Sequence, residues 1–142
     1  MCGIAGIVDN NYASIDLVSQ MIKSLSHRGP DSRDVWQNNN RNVALGHSRL
    51  SILELSNAGS QPMTSHSGRY ILTFNGEIYN HKHLRYKELM DFNFKGGSDT
   101  ETLLASFEKF GIVGSLKYLN GMFAFAVWDQ ALEVLTLVRD RT

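Results

Sequence analysis

Apolar residues recur along this chain in two rhythms, one near two residues and one near three and a half, and these divide it into strands and helices. Ile4-Ala5-Gly6-Ile7-Val8 is a short apolar run that reads as a buried strand beside the N-terminus. Ile15, Val18, Ile22 and Leu25 return at helical spacing, and Leu17 and Met21 widen the stripe. Ser14 is placed to cap that helix, and Asp16 suits the positive end of its dipole. His27-Arg28-Gly29-Pro30-Asp31-Ser32 interrupts the pattern as a loop. Val35-Trp36 and Val43-Ala44-Leu45 then flank a polar stretch, predicting two strands joined by a turn.

Arg49-Leu50-Ser51-Ile52-Leu53 alternates, which puts Arg49 at the start of a strand ahead of a polar segment, residues 56–68. Tyr70-Ile71-Leu72-Thr73-Phe74 predicts another strand, and residues 81–90 a helix with Leu84 and Leu89 as apolar contacts. Phe92 and Phe94 alternate with polar neighbours, which predicts a short strand. Ser98-Asp99-Thr100-Glu101 matches a capping box; Leu103, Phe107 and Phe110 continue it as a helix, and Gly111 is placed to end it. Residues 122–128 and 132–138 predict a hairpin of two strands around Asp129-Gln130-Ala131. Both are apolar at nearly every position, so each is expected to be covered on both faces. Many strands with few helices imply an α+β fold, with stacked sheets and the helices outside.

Composition narrows the function classes. The 142 residues suggest one domain spanning 1–142, with no repeat, low-complexity tract or linker. Lysine plus arginine balances aspartate plus glutamate at 14 each, so no net field favours nucleic acid or an anionic membrane. Cys2 is the only cysteine, which rules out an intrachain disulfide and suits a reducing cytoplasm. No basic segment precedes an apolar run at the N-terminus, and no stretch reaches the roughly 18 apolar residues of a membrane span. A soluble cytoplasmic protein is expected. The chain stops at Thr142 directly after an apolar strand, which reads as a C-terminally truncated fragment.

The candidate chemistry begins at Cys2. Removal of Met1 would leave one residue with both a thiol and a free α-amine, which ordinarily titrate near 8.5 and near 8. The amine could then activate the thiol, as in an N-terminal nucleophile. The alternative is a small buried hydrophobe. Asn75-Gly76 is either a hairpin turn or a pair of donors, amide and backbone N–H, aimed at a developing oxyanion. Arg49 is either a surface charge or a bidentate partner for a carboxylate. Asp99 could cap its helix, and Glu77 could be an exposed strand carboxylate. Together with Arg49, however, the pair offers what the carboxylate and ammonium of a free amino acid require. His81-x-His83 and Cys2 form no zinc pattern, the five histidines read as surface or loop residues, and no phosphate loop is present.

These segments, taken in order, resemble the class II glutamine amidotransferase domain, and most closely the N-terminal domain of glutamine-hydrolysing asparagine synthetases. The likeness is carried by Met1-Cys2-Gly3-Ile4-Ala5-Gly6, His27-Arg28-Gly29-Pro30-Asp31, Arg49-Leu50-Ser51-Ile52 and Gln61-Pro62-Met63. It continues through Asn75-Gly76-Glu77-Ile78-Tyr79-Asn80, Gly97-Ser98-Asp99-Thr100-Glu101 and Asn120-Gly121-Met122-Phe123-Ala124-Phe125-Ala126.

The resemblance implies the Ntn-hydrolase fold, a four-layer α-β-β-α sandwich of two antiparallel sheets. It implies that Cys2 attacks the side-chain amide of L-glutamine, that Asn75 and Gly76 stabilise the oxyanion, and that Arg49, Glu77 and Asp99 hold the substrate's α-groups. Backbone groups of residues 50–53, Leu50 and Ile52 among them, would line the same pocket. No metal or cofactor is implied in this domain. ATP and Mg belong to a synthetase domain that normally follows in the same chain; for the full-length protein a homodimer stays open as one oligomeric state that the sequence does not decide. Two other readings compete. One sends the ammonia to another acceptor, such as a surface-polysaccharide sugar, and the other is a non-catalytic binding or structural fragment.

Overall fold

The computed structural model describes residues 2–52, 54 and 56–141. Along the chain run β1 (Gly3–Val8), α1 (Ile15–Ser24), β2 (Ser32–Gln37), β3 (Val43–Arg49), β4 (Met63–Thr64) and β5 (Tyr70–Ile78). They are followed by α2 (His81–Lys87), α3 (Asp99–Phe110), α4 (Ile112–Ser115), β6 (Gly121–Asp129) and β7 (Val134–Arg139). The strands form two antiparallel sheets, ordered β1-β3-β2 and β4-β5-β6-β7.

The period-two alternation decides what each sheet face meets. On β3, Ala44 and Gly46 face α1, whose Val18 and Ile22 pack there together with Ala13. A Cβ on Gly46 would stand 2.5 Å from Ile22 Cγ1, so the helix approaches this closely only because residue 46 is glycine. Val43 and Leu45 point the other way, onto Ile71, Ala126 and Trp128 of the second sheet. The far face of that sheet carries Tyr70, Leu72, Phe74, Phe125 and Val127 against Leu103, Leu104 and Phe107 of α3 and Leu84 of α2. The result is an α-β-β-α sandwich of two antiparallel sheets, as expected.

The layer between the sheets is not uniform along its length. Reading down β3, its inward residues are Val43, Leu45, His47 and Arg49; down β5 they are Ile71, Thr73, Asn75 and Glu77. Both strands therefore change from apolar to polar in the same direction. Two hydrogen bonds cross between the sheets at the changeover: Thr73 Oγ1 donates to Gly46 O (3.2 Å), and His47 Nε2 meets Phe74 O (3.1 Å). Beyond them the layer opens as a cleft.

The helix signals hold at atomic detail. Ser14 accepts from Leu17 N at the start of α1, Ser98 accepts from Glu101 N at the start of α3, and Gly111 (φ 73°) ends α3. Only half of the capping box forms, because the Glu101 carboxylate accepts from Lys95 N and Gly96 N.

Several expectations fail for identifiable reasons. β7 is not covered on both faces: it has one neighbour, and Val134 and Leu137 are 49% and 74% exposed. The hairpin turn includes Leu132 and Glu133, with Asp129 accepting from Ala131 N and Leu132 N, so β7 starts later than the apolar pattern suggests. β1 is an edge strand and only half-buried. Leu17 and Met21 face solvent, since Val18 and Ile22 suffice to seat α1. Phe92 and Phe94 form no strand; they are loop residues packed on the core, and the Arg85 guanidinium lies 3.8 Å from the Phe94 ring. Arg49 ends β3 and does not begin a strand, while Leu53 lies outside the described residues.

Candidate active site

The cleft at the polar end of the sandwich has about 120 Å³ of interior space. Every residue singled out from the sequence lines it: Cys2, Arg49, Leu50, Ile52, Asn75, Gly76, Glu77 and Asp99. Four stretches of chain bring them there. The N-terminus is carried by β1, whose Gly3 pairs with Ser48 and so delivers Cys2 to the end of β3. The Cys2 sulfur lies 3.3 Å from Leu50 N and 3.7 Å from Leu50 O.

The loop after α1 fixes that arrangement. Arg28 Nε donates to Cys2 O (3.1 Å), and Ser48 Oγ donates to Gly29 O (2.6 Å). A Cβ on Gly29 would sit 2.2 Å from Ser48 O, so the loop can lie on β3 only with glycine there. Asp31 N donates to Arg49 O, and Asp31 Oδ2 accepts from Ser51 N (2.7 Å), which holds residues 49–51 along the cleft wall.

Asn75-Gly76 is no hairpin turn. Both residues are inside β5, paired with Ala124 and Phe123 of β6. A Cβ on Gly76 would stand 2.3 Å from Met122 O, so β6 passes too close for any other residue. Antiparallel alternation sends the N–H groups of residues 74, 76 and 78 away from β6, because residue 79 is the one bonded to Asn120 O. Phe74 N donates to Gln61 Oε1 (2.7 Å) and Ile78 N to Asp99 Oδ2 (2.9 Å). The Gly76 N–H points to the same side between them, toward the cleft. The Asn75 side chain enters from the inter-sheet face, and its Oδ1 has no hydrogen-bond partner among the described residues.

Charge is separated across the cleft. Arg49 is 7% exposed and donates to the carbonyls of Ser56 (3.0 Å) and Glu54. Asp99, at the first turn of α3, is 5% exposed; its burial raises the carboxyl above the usual range, against the hydrogen bonds from Ile78 N and Thr100 N. Glu77 is exposed at the rim. The cleft thus brings together a thiol, the Asn75 amide, the Gly76 N–H, the Arg49 guanidinium and the carboxylates of Glu54, Glu77 and Asp99.

Sequence reasoning missed the roles of four residues. Gln61 bonds both β5 and Thr100 Oγ1 (3.2 Å), linking the two walls, yet a polar residue in a polar segment gives no such signal. Arg85 donates to Gly96 O, Ser98 O and Thr102 Oγ1, buttressing the loop before Asp99. His47 and His81 are not surface residues; they are 1% and 7% exposed. For His47 the signal existed, since it shares the inward face of β3 with Val43 and Leu45. The Phe74 carbonyl can only accept, so His47 donates from Nε2, and its buried Nδ1, an acceptor, has no hydrogen-bond partner among the described residues.

Burial lowers the His47 pKa to about 4, from 6.5. The folded-state value is the lower one, so the unfolded chain takes up a proton that the native chain refuses as pH falls through that window. Stability should therefore fall between pH 6.5 and pH 4, by at most about 3 kcal/mol. His81 is lowered for the same reason and adds to the slope; Asp99, raised by burial, opposes it at its acid end. Denaturant midpoints measured across this range should show a shallower slope for His47→Gln. Equal slopes in the two proteins would show that His47 is not the group responsible.

Comparison with known proteins gives a consistent picture. Residues 1–142 match the family model described as glutamine amidotransferase domain. Glutamine-hydrolyzing asparagine synthetase 3 of Bacillus subtilis is 40% identical over 99% of this chain and 23% of its own length. Asparagine synthetase B of Escherichia coli is 36% identical over 99% of this chain and 25% of its own. Amidase chry2 of Gibberella zeae is 35% identical over 99% and 23%. The chain thus spans about a quarter of the length of these curated relatives.

Proposed function

Since the chain belongs to the glutamine amidotransferase domain family, we propose that it hydrolyses the side-chain amide of L-glutamine through the thiol of Cys2, giving glutamate and ammonia. With Met1 removed, the α-amine of Cys2 takes the thiol proton, and the sulfur bonds to the amide carbon as the carbonyl π-bond becomes an oxyanion. Asn75 Nδ2 and the Gly76 N–H receive that charge. The C–N bond then breaks, and the departing nitrogen takes a proton from the α-ammonium, leaving a thioester. Water, deprotonated by the amine, adds to the thioester carbon; the C–S bond breaks, releasing glutamate and regenerating the thiol.

Arg49 would pair with the substrate α-carboxylate, and Glu77 and Asp99 with its α-ammonium. The observation that carries this reading is the row of N–H groups on β5. Its outer members are consumed by Gln61 and Asp99, and the middle one, on Gly76, faces the cleft beside Asn75 and Cys2. No helix among the described residues is long and apolar enough to cross a membrane. The names of two relatives suggest that the ammonia would be used in asparagine synthesis; the acceptor would then be aspartate, amidated with ATP and Mg in a synthetase domain.

The test is to incubate the chain with L-glutamine and measure both products, with intact mass reporting loss of Met1. Equimolar glutamate and ammonia are expected. A folded, processed chain that releases neither would overturn the reading.

A further inference from the structure

We propose that Glu54 is a positioning residue that ties the carboxylate-binding and ammonium-binding halves of the clamp into one unit; this rests on the roles proposed above for Arg49 and Asp99. The tie can be followed atom by atom. Arg49 donates to the carbonyls of Ser56 (3.0 Å) and Glu54, so the segment just after the cleft wall folds back over its own guanidinium. The Glu54 side chain leaves in the other direction. Its Oε1 accepts from Ser56 N (3.0 Å) and Ser56 Oγ (2.6 Å), and its Oε2 accepts from Gly97 N (2.8 Å). Gly97 immediately precedes Ser98, the cap of α3, and Asp99, its first residue.

Two glycines keep the path clear. A Cβ on Gly96 would lie 2.8 Å from Glu54 Oε2, and one on Gly59 would lie 2.4 Å from Arg49 Nη2 and 3.0 Å from Glu54 Cγ. These donors hold the Glu54 carboxyl down at about 2, so it stays ionised from mildly acidic to alkaline pH. Glu54 also lines the cleft, and the three donors on its carboxylate come from Ser56, whose carbonyl Arg49 uses, and from Gly97, two residues before Asp99. Its proposed action on the clamp therefore runs through Arg49 and Asp99.

A loop staple and a clamp tie differ in what their loss does to substrate binding. The experiment compares Glu54→Gln with the parent chain in three readouts: KM and kcat for L-glutamine, inactivation of Cys2 by a diazomethyl ketone analogue of glutamine, and alkylation of Cys2 by iodoacetamide. The analogue needs both halves of the clamp, whereas iodoacetamide needs neither. We expect KM to rise about tenfold with a much smaller change in kcat, and inactivation by the analogue to slow about tenfold. Alkylation by iodoacetamide should keep its rate, and Glu54→Asp, which retains the charge, should recover part of the loss.

If Glu54→Gln does not fold, Ser56→Ala tests the same tie. It removes the Oγ donor to Glu54 and leaves the carbonyl that Arg49 uses, and a KM rise of about two- to fivefold is expected. An unchanged KM in folded variants overturns the proposal, as does a parallel loss of iodoacetamide reactivity. If the parent chain neither hydrolyses glutamine nor reacts with the analogue, the reading of the reaction itself has failed. If the parent reacts and the variants match it, only the role of Glu54 has failed.

Discussion

Cys2→Ala should lower glutamine hydrolysis by at least about a thousandfold while leaving the fold intact, because it removes the atom proposed to form the covalent bond. Little stability should depend on the thiol. Among the described residues its sulfur's hydrogen bonds are to the Leu50 backbone, and the Cys2 carbonyl held by Arg28 survives the substitution. Cys2→Ser should be nearly as inactive, since a hydroxyl is a far weaker acid and nucleophile than a thiol at neutral pH. Glutamate release, measured beside a thermal melt, checks both variants. Retention of more than a tenth of the parent rate by a folded Cys2→Ala chain would be incompatible with the thioester route.

Asn75→Ala should reduce kcat by about a hundredfold to a thousandfold with a much smaller change in KM, the usual cost of deleting one oxyanion donor. The strand survives the change, because β5 pairs with β6 through its backbone and alanine fits the inter-sheet face occupied by Thr73 and Ala126. Activity should not vanish, because the Gly76 N–H, the second proposed donor, remains. Asn75→Asp, nearly identical in shape, should fare no better: it replaces the donor with an anion facing the developing oxyanion. Steady-state kinetics with both variants distinguishes the roles. If KM rises and kcat holds, Asn75 is a ground-state contact and not a donor in the transition state.

The parts of the molecule legible in the sequence are those set by local rules. Ser14, Ser98 and Gly111 announce helix ends because capping involves groups only a few residues apart. The alternation of Val43, Leu45 and His47 with Ala44 and Gly46 marks two buried faces, and by the same logic His47 belongs inside. Asn75-Gly76 shows the limit of local rules. The dipeptide favours a turn, and only the passage of β6 against Gly76 makes it part of a strand. Phe92 and Phe94 alternate like a strand but answer to α2 and α3, where Arg85 and the core collect them. β7 reads as an interior strand because its side chains are apolar, although it stands at a sheet edge. Glu54 was invisible because its partner Gly97 is 43 residues away in a loop with no pattern of its own.

The gradient from apolar to polar along β3 and β5 has a further consequence. Cohesion of the sandwich is concentrated where Val43, Leu45, Ile71 and Trp128 meet, whereas Arg49, Asn75 and Glu77 stand at the other end of the same strands. An engineer wishing to recode substrate preference could therefore edit positions 49 and 77, proposed above to hold the substrate's α-groups, and leave the interlock that keeps the two sheets in register untouched.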